Sequence, residues 1–85
     1  MGTVAATETD QAIETVFRIE QARLITGLAR MVRDVGLADE LAQDAVVTAL
    51  SAWPKIGIPN NPGAWLMIVA KRRAIDELRR LRRLR

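Results

Sequence analysis

Two interruptions divide the chain, and between them the apolar residues recur at helical spacing. The first is Gly36; the second is the run from Pro54 to Pro62, which also holds Gly57 and Pro59. Glycine frees the backbone, while proline removes an N–H and pushes its predecessor out of the helical region. Before Gly36, Ile13, Val16, Phe17, Leu24, Leu28, Met31 and Val35 fall at steps of three, four and seven, which places them on one helix face. The spacing predicts a helix from Asp10 to about Asp34. Asp10 and Glu14 near its start and Arg30 and Arg33 near its end match the helix dipole, and Gly36 is placed to stop it. Residues Met1 to Thr9 are small and polar and read as a flexible leader, with one folded domain over residues 10–85.

A second helix is predicted from Leu37 to Trp53, ending at Pro54. Its apolar surface is broad, formed by Leu41, Ala42, Ala45, Val46, Ala49, Leu50 and Trp53. The polar stripe is narrow and acidic: Glu40, Gln43 and Asp44, with Thr48 and Ser51 one and two turns on. Such a helix is wedged between neighbours or covered by a partner. Pro54 to Asn61 reads as an eight-residue loop whose Ile56 and Ile58 are expected to plug the core. Asn61-Pro62 then supplies an N-cap and a first helical residue, and a third helix runs from Ala64 to the end. The fold class is all-α.

Charge is spread unevenly over these helices. Lys71 to Arg85 carries eight positive and two negative residues, net +6 in a chain of +3, so the remainder is −3. A weakly acidic body with a basic end suits a polyanion partner, although cations also stabilise a helix C-terminus. At about 100° per residue, Arg72, Arg79 and Arg83 lie within about 20° of one direction, Trp65 shares it, and Asp76 is about 40° away. Leu66, Ala70, Ala74, Leu81 and Leu84 gather opposite as the core side. Basic side chains follow phosphates and exposed aromatic rings stack on unpaired bases, so this face fits nucleic acid; Trp65 could equally seal the core.

Cysteine, histidine and tyrosine are absent, and Ser51 is the only serine. That excludes a disulfide framework and a thiolate metal site, and it removes the usual nucleophiles and bases. No catalytic residue, metal or cofactor is expected. No stretch reaches the roughly 20 apolar residues of a membrane span, and the N-terminus lacks the pattern of a signal peptide, so a cytoplasmic location is expected.

Two stretches resemble region 2 of the sigma-70 family. Leu37-Ala38-Asp39-Glu40-Leu41-Ala42-Gln43-Asp44-Ala45-Val46-Val47-Thr48-Ala49-Leu50 is similar to its acidic second helix. Trp65-Leu66, followed by Ala70-Lys71-Arg72-Arg73-Ala74-Ile75-Asp76-Glu77-Leu78-Arg79-Arg80, is similar to its promoter-reading helix and is the more specific match. With the first helix, the resemblance spans about residues 10–82. It implies the small extracytoplasmic-function (group IV) type, whose region 2 is a compact bundle of three main helices. Such factors carry a second helical domain that reads the −35 element; it is missing from this sequence, which looks like an excised region 2.

The resemblance also implies roles. The acidic second helix docks on the clamp helices of the largest RNA polymerase subunit, and Glu40, Gln43 and Asp44, with Thr48 beyond them, match that face. The loop from Lys55 to Asn61 holds a flipped base of single-stranded −10 DNA. Asn60 and Asn61 offer donors and acceptors there, and Arg72 and Asp76 match helix positions near the base. The DNA-facing set is thus Lys55, Asn60, Asn61, Trp65, Lys71, Arg72, Asp76, Arg79 and Arg83. The chain departs from many members in carrying Ile68 where they have arginine and Arg72 where asparagine is common, so the base read is expected to differ. The family also implies an anti-sigma protein as a partner.

Two other readings compete. A helix-turn-helix module wants a turn of a few residues and base-reading side chains near the start of its second helix. Eight linker residues and an apolar Ala64 to Ala70 fit that poorly, and the acidic stripe is left unexplained. A helical adaptor, or a basic helix lying on anionic membrane, needs bulky apolar residues opposite the arginines, where Ala70 and Ala74 stand.

Overall fold

A computed structural model describes residues 2–84, with the side chains of Glu8 and of residues 10–84; Met1, Arg85 and the side chains of residues 2–7 and Thr9 lie outside the described set. It holds three helices, α1 (Gly2–Val32), α2 (Val35–Ile56) and α3 (Pro62–Arg83), each packed against the other two, and no strand among the described residues. The expected all-α bundle is the architecture observed.

The helices meet over a core unusually rich in alanine. Ala38, Ala42, Ala45 and Ala49 form a buried stripe along α2, and Ala70 and Ala74 face it from α3. Small side chains let helix axes approach closely, near the lower end of the roughly 8–10 Å range. The large buried residues are distributed around this seam: Ile13, Leu24 and Leu28 from α1, Leu41 and Trp53 from α2, and Leu66 from α3. Val16, Phe17 and Met31 pack partly buried at its margin. At these positions the apolar periodicity chose the inward face of each helix.

The helix ends differ from the sequence reading, each for a local reason. α1 begins at Gly2, so the backbone of the expected leader is helical from there on. Its alanines and Glu8 favour helix, and no proline interrupts them. α1 stops at Val32 rather than at Gly36, because Arg33 turns to φ 57° and Asp34 caps α2 by accepting a hydrogen bond from the Leu37 N–H at 3.0 Å. Gly36 and Val35 thus belong to α2, and Val35 is exposed rather than part of the α1 face.

α2 passes through Pro54 and ends two residues later. Proline forfeits one backbone hydrogen bond, but Trp53 is fully buried and the Gly57 N–H closes the last turn onto the Trp53 carbonyl at 2.8 Å. Gly57 has φ 86° and ψ 162°, a region essentially restricted to glycine, and this turns the chain away. The linker to α3 is consequently five residues, 57–61. Ile56 and Ile58 do not plug the core: they are 67% and 43% exposed. Leu50, Leu81 and Leu84 are exposed as well.

Candidate functional site

On α2, Glu40, Gln43 and Asp44 are exposed along one face and Thr48 is half-buried at its edge. The helix period puts Val47 among them, and it is 63% exposed. The acidic stripe therefore contains an apolar contact point that the sequence reading did not single out. Arg73 of α3 reaches across to this stripe. Its Nη2 lies 3.4 Å from Thr48 Oγ1 and its Nη1 lies 3.8 Å from the Asp44 carboxylate, while Thr48 Oγ1 also donates to the Asp44 carbonyl at 3.0 Å. Arg73 was absent from the expected site. Its signal was its position about 100° round from Arg72, on the flank beside the buried Ala70 and Ala74.

The junction of α2 and α3 brings the loop residues together. Lys55 and Asn60 are exposed. Asn61 caps α3 through its Oδ1, which accepts from the Ala64 N–H at 3.1 Å, leaving its NH₂ as the available donor. The α3 N-terminus is not an open anion site, because the Glu20 carboxylate already occupies it. A Cβ on Gly63 would come within 2.7 Å of that carboxylate, so the glycine makes its room, and Arg23 Nη1 follows Glu20 at 3.7 Å. Trp65 is half-buried, with its ring 5.3 Å from Trp53 in an edge arrangement at 67°. It seals the buried Trp53, whose indole N–H has no hydrogen-bond partner among the described residues, and still shows part of its surface beside the loop.

Along α3, Lys71, Arg72, Asp76, Arg79 and Arg83 are all exposed. Ile68 and Ile75 stand among them, 57% and 41% exposed. Among the described residues Lys71, Arg72, Arg79, Arg82 and Arg83 enter no ion pair. Arg80 is different: its guanidinium grips Glu77 through Nε at 3.2 Å and Nη2 at 2.5 Å. Those hydrogen bonds hold the Glu77 carboxyl below its usual pKa and raise that of Arg80.

Asp76 and Arg83 turn toward α2. With Leu41, Asp44, Arg73, Glu77 and Arg80 they line an open cleft of about 400 Å³, in which three arginines are matched by three carboxylates. The unbalanced positive charge therefore sits outside the cleft, on the face bearing Arg72 and Arg79. A second groove, of about 470 Å³, runs between α1 and α2 over Phe17, Val46 and Leu50. Among the described residues, no helix is long and apolar enough to cross a membrane, and no three His, Cys, Asp or Glu side chains are placed to hold a metal ion.

The chain is 43% identical over 53 residues to an uncharacterized protein of Rhizobium meliloti (strain 1021); the match covers 62% of this chain and 12% of that protein. The chain thus spans a small fraction of the relative's length. No solved structure matches it. The family model for sigma-70 region 2 matches residues 16–84, which takes in the second half of α1 and all of α2, the loop and α3. The acidic α2, the capped loop and the basic α3 are thus parts of one known unit, and the chain belongs to the sigma-70 region 2 family.

Proposed function

We propose that this domain acts in transcription initiation as region 2 of an extracytoplasmic-function sigma factor, docking on the clamp helices of RNA polymerase through α2 and holding single-stranded −10 DNA with the loop and α3. The observation that carries this reading is the separation of charge on one small bundle. Glu40, Gln43 and Asp44 are exposed on α2, while Lys71, Arg72, Arg79 and Arg82 lie along α3 outside the charge-balanced cleft and enter no ion pair among the described residues.

The acidic stripe fits a basic coiled coil, where arginine–carboxylate pairs fix orientation as well as adding attraction. Val47 adds an apolar contact at its centre. On α3, Arg72 and Arg79 follow the phosphates. The loop takes one base out of the stack, an expense of a few kcal/mol that hydrogen bonds from Asn60 and the Asn61 NH₂ and contact with Ile58 and Trp65 offset. Lys55 and Lys71 add charge at either end of this path. The body's acidic character makes DNA binding by the domain alone weak, so the polymerase contact comes first. An anti-sigma protein that covers both faces would keep such a domain silent.

The helix-turn-helix reading gains from the five-residue linker but fits poorly at the start of α3, where Ala64 and buried Leu66 have no polar side-chain atom and the half-buried Trp65 offers one indole donor and no acceptor for base edges in a groove.

Salt dependence tests the DNA half of the proposal. Single-stranded oligonucleotides should bind better than duplex at low salt. Arg72→Ala/Arg79→Ala should reduce the slope of log affinity against log salt by about 1.4, at roughly 0.7 per phosphate on single strands. An unchanged slope would remove these arginines from the strand path.

A further inference from the structure

We infer that Ile68 and Ile75 make the α3 surface selective for thymine, by contact with the C5 methyl group. This rests on the reading of α3 as the strand-facing helix and assigns that face a base preference. The isoleucines are 57% and 41% exposed on a helix whose buried residues, Leu66, Ala70 and Ala74, lie on the opposite side, so the core does not account for them. The helical period interleaves them with the unpaired cations: Ile68, Arg72, Ile75 and Arg79 succeed one another at steps of four, three and four. A strand whose phosphates follow the arginines brings its bases over the isoleucines.

An isoleucine offers no hydrogen bond, so it cannot read the polar edge of a base. It distinguishes bases by apolar contact, and among the DNA bases only thymine presents a methyl group. The two side chains are about 10 Å apart along the axis, too far to share one base. An anionic lipid surface is the other partner for an apolar and basic face. It is disfavoured because arginines separate the isoleucines instead of flanking a continuous apolar band.

The test compares 20-nucleotide oligomers of thymidine and of deoxyuridine, which differ only in the methyl group, by fluorescence anisotropy at low salt. The thymidine oligomer should bind more tightly, by about fourfold for each methyl covered. Ile68→Ala/Ile75→Ala should abolish the difference between the two oligomers, with the same thermal melt as the parent. Equal binding of the two oligomers by the parent protein would overturn the inference, as would a preference that survives in the double variant. Displacement of bound thymidine oligomer by phosphatidylglycerol vesicles at equal charge would overturn it in favour of lipid. Failure of both oligomers to bind would instead contradict the promoter-strand reading on which it rests.

Discussion

Arg73 of α3 ties down α2 by placing its guanidinium 3.4 Å from Thr48 Oγ1 and 3.8 Å from the Asp44 carboxylate. Both members of the ion pair are about half exposed, so water screens it and it contributes no more than about 1 kcal/mol to folding. Its larger effect is on recognition, since Asp44 meets a partner already engaged. Arg73→Ala should cost under about 1 kcal/mol in thermal unfolding and raise affinity for the polymerase clamp helices by up to about fivefold. Calorimetry of the variant against its parent decides this. A loss of affinity would mean that Arg73 itself touches the clamp.

Gly57 has nothing within 4 Å of where a Cβ would stand, yet its φ of 86° suits no other residue. Gly57→Ala should therefore destabilise the domain by about 1–3 kcal/mol through the backbone alone. D-alanine, introduced by chemical synthesis, should restore stability, because its preferred φ has the opposite sign. Equal melting of the L and D variants would refute a backbone origin.

Arg33 occupies the left-handed region at φ 57° between α1 and α2. A residue with a Cβ is held there at a cost of roughly 1–2 kcal/mol, part of which glycine avoids. Arg33→Gly should raise stability by about 0.5–1 kcal/mol, measured by urea denaturation, without changing the slope of the transition.

Glu77 neutralises Arg80 on the flank of the DNA-facing side. Glu77→Ala should free one more cation and steepen the salt dependence of single-strand binding by about 0.7. Acid should mimic this. Because the Arg80 hydrogen bonds lower the Glu77 pKa, the pair is intact above the ordinary glutamate range and is lost only as pH falls through the depressed value. The salt slope should therefore stay constant down to that range and rise below it.

The sequence was most legible where periodicity or cap chemistry decides the outcome. The spacing of Leu24 and Leu28, of Ala42, Ala45 and Ala49, and of Leu66, Ala70 and Ala74 predicted the three buried faces, and Asn61-Pro62 predicted the start of α3. Helix ends were less legible because competing local signals meet there. Asp34 as a cap prevailed over Gly36 as a stop, and burial of Trp53 carried α2 past Pro54. Exposure at the ends of the bundle depends on how far neighbouring helices extend, which the pattern of one helix does not contain. Leu81, Leu84, Ile56 and Ile58 were assigned to the core for that reason. The acidic and basic faces followed from the residues alone, but the bridge between them through Arg73 depended on a contact between helices.

Binding to the isolated clamp-helix fragment of the largest RNA polymerase subunit tests the central claim most directly, with Glu40→Arg/Asp44→Arg as the comparison. The account predicts specific binding by the parent domain that the charge-reversed variant loses while retaining its helical content and its melt. Absence of binding at low salt, or equal binding by the two proteins, would contradict docking through α2.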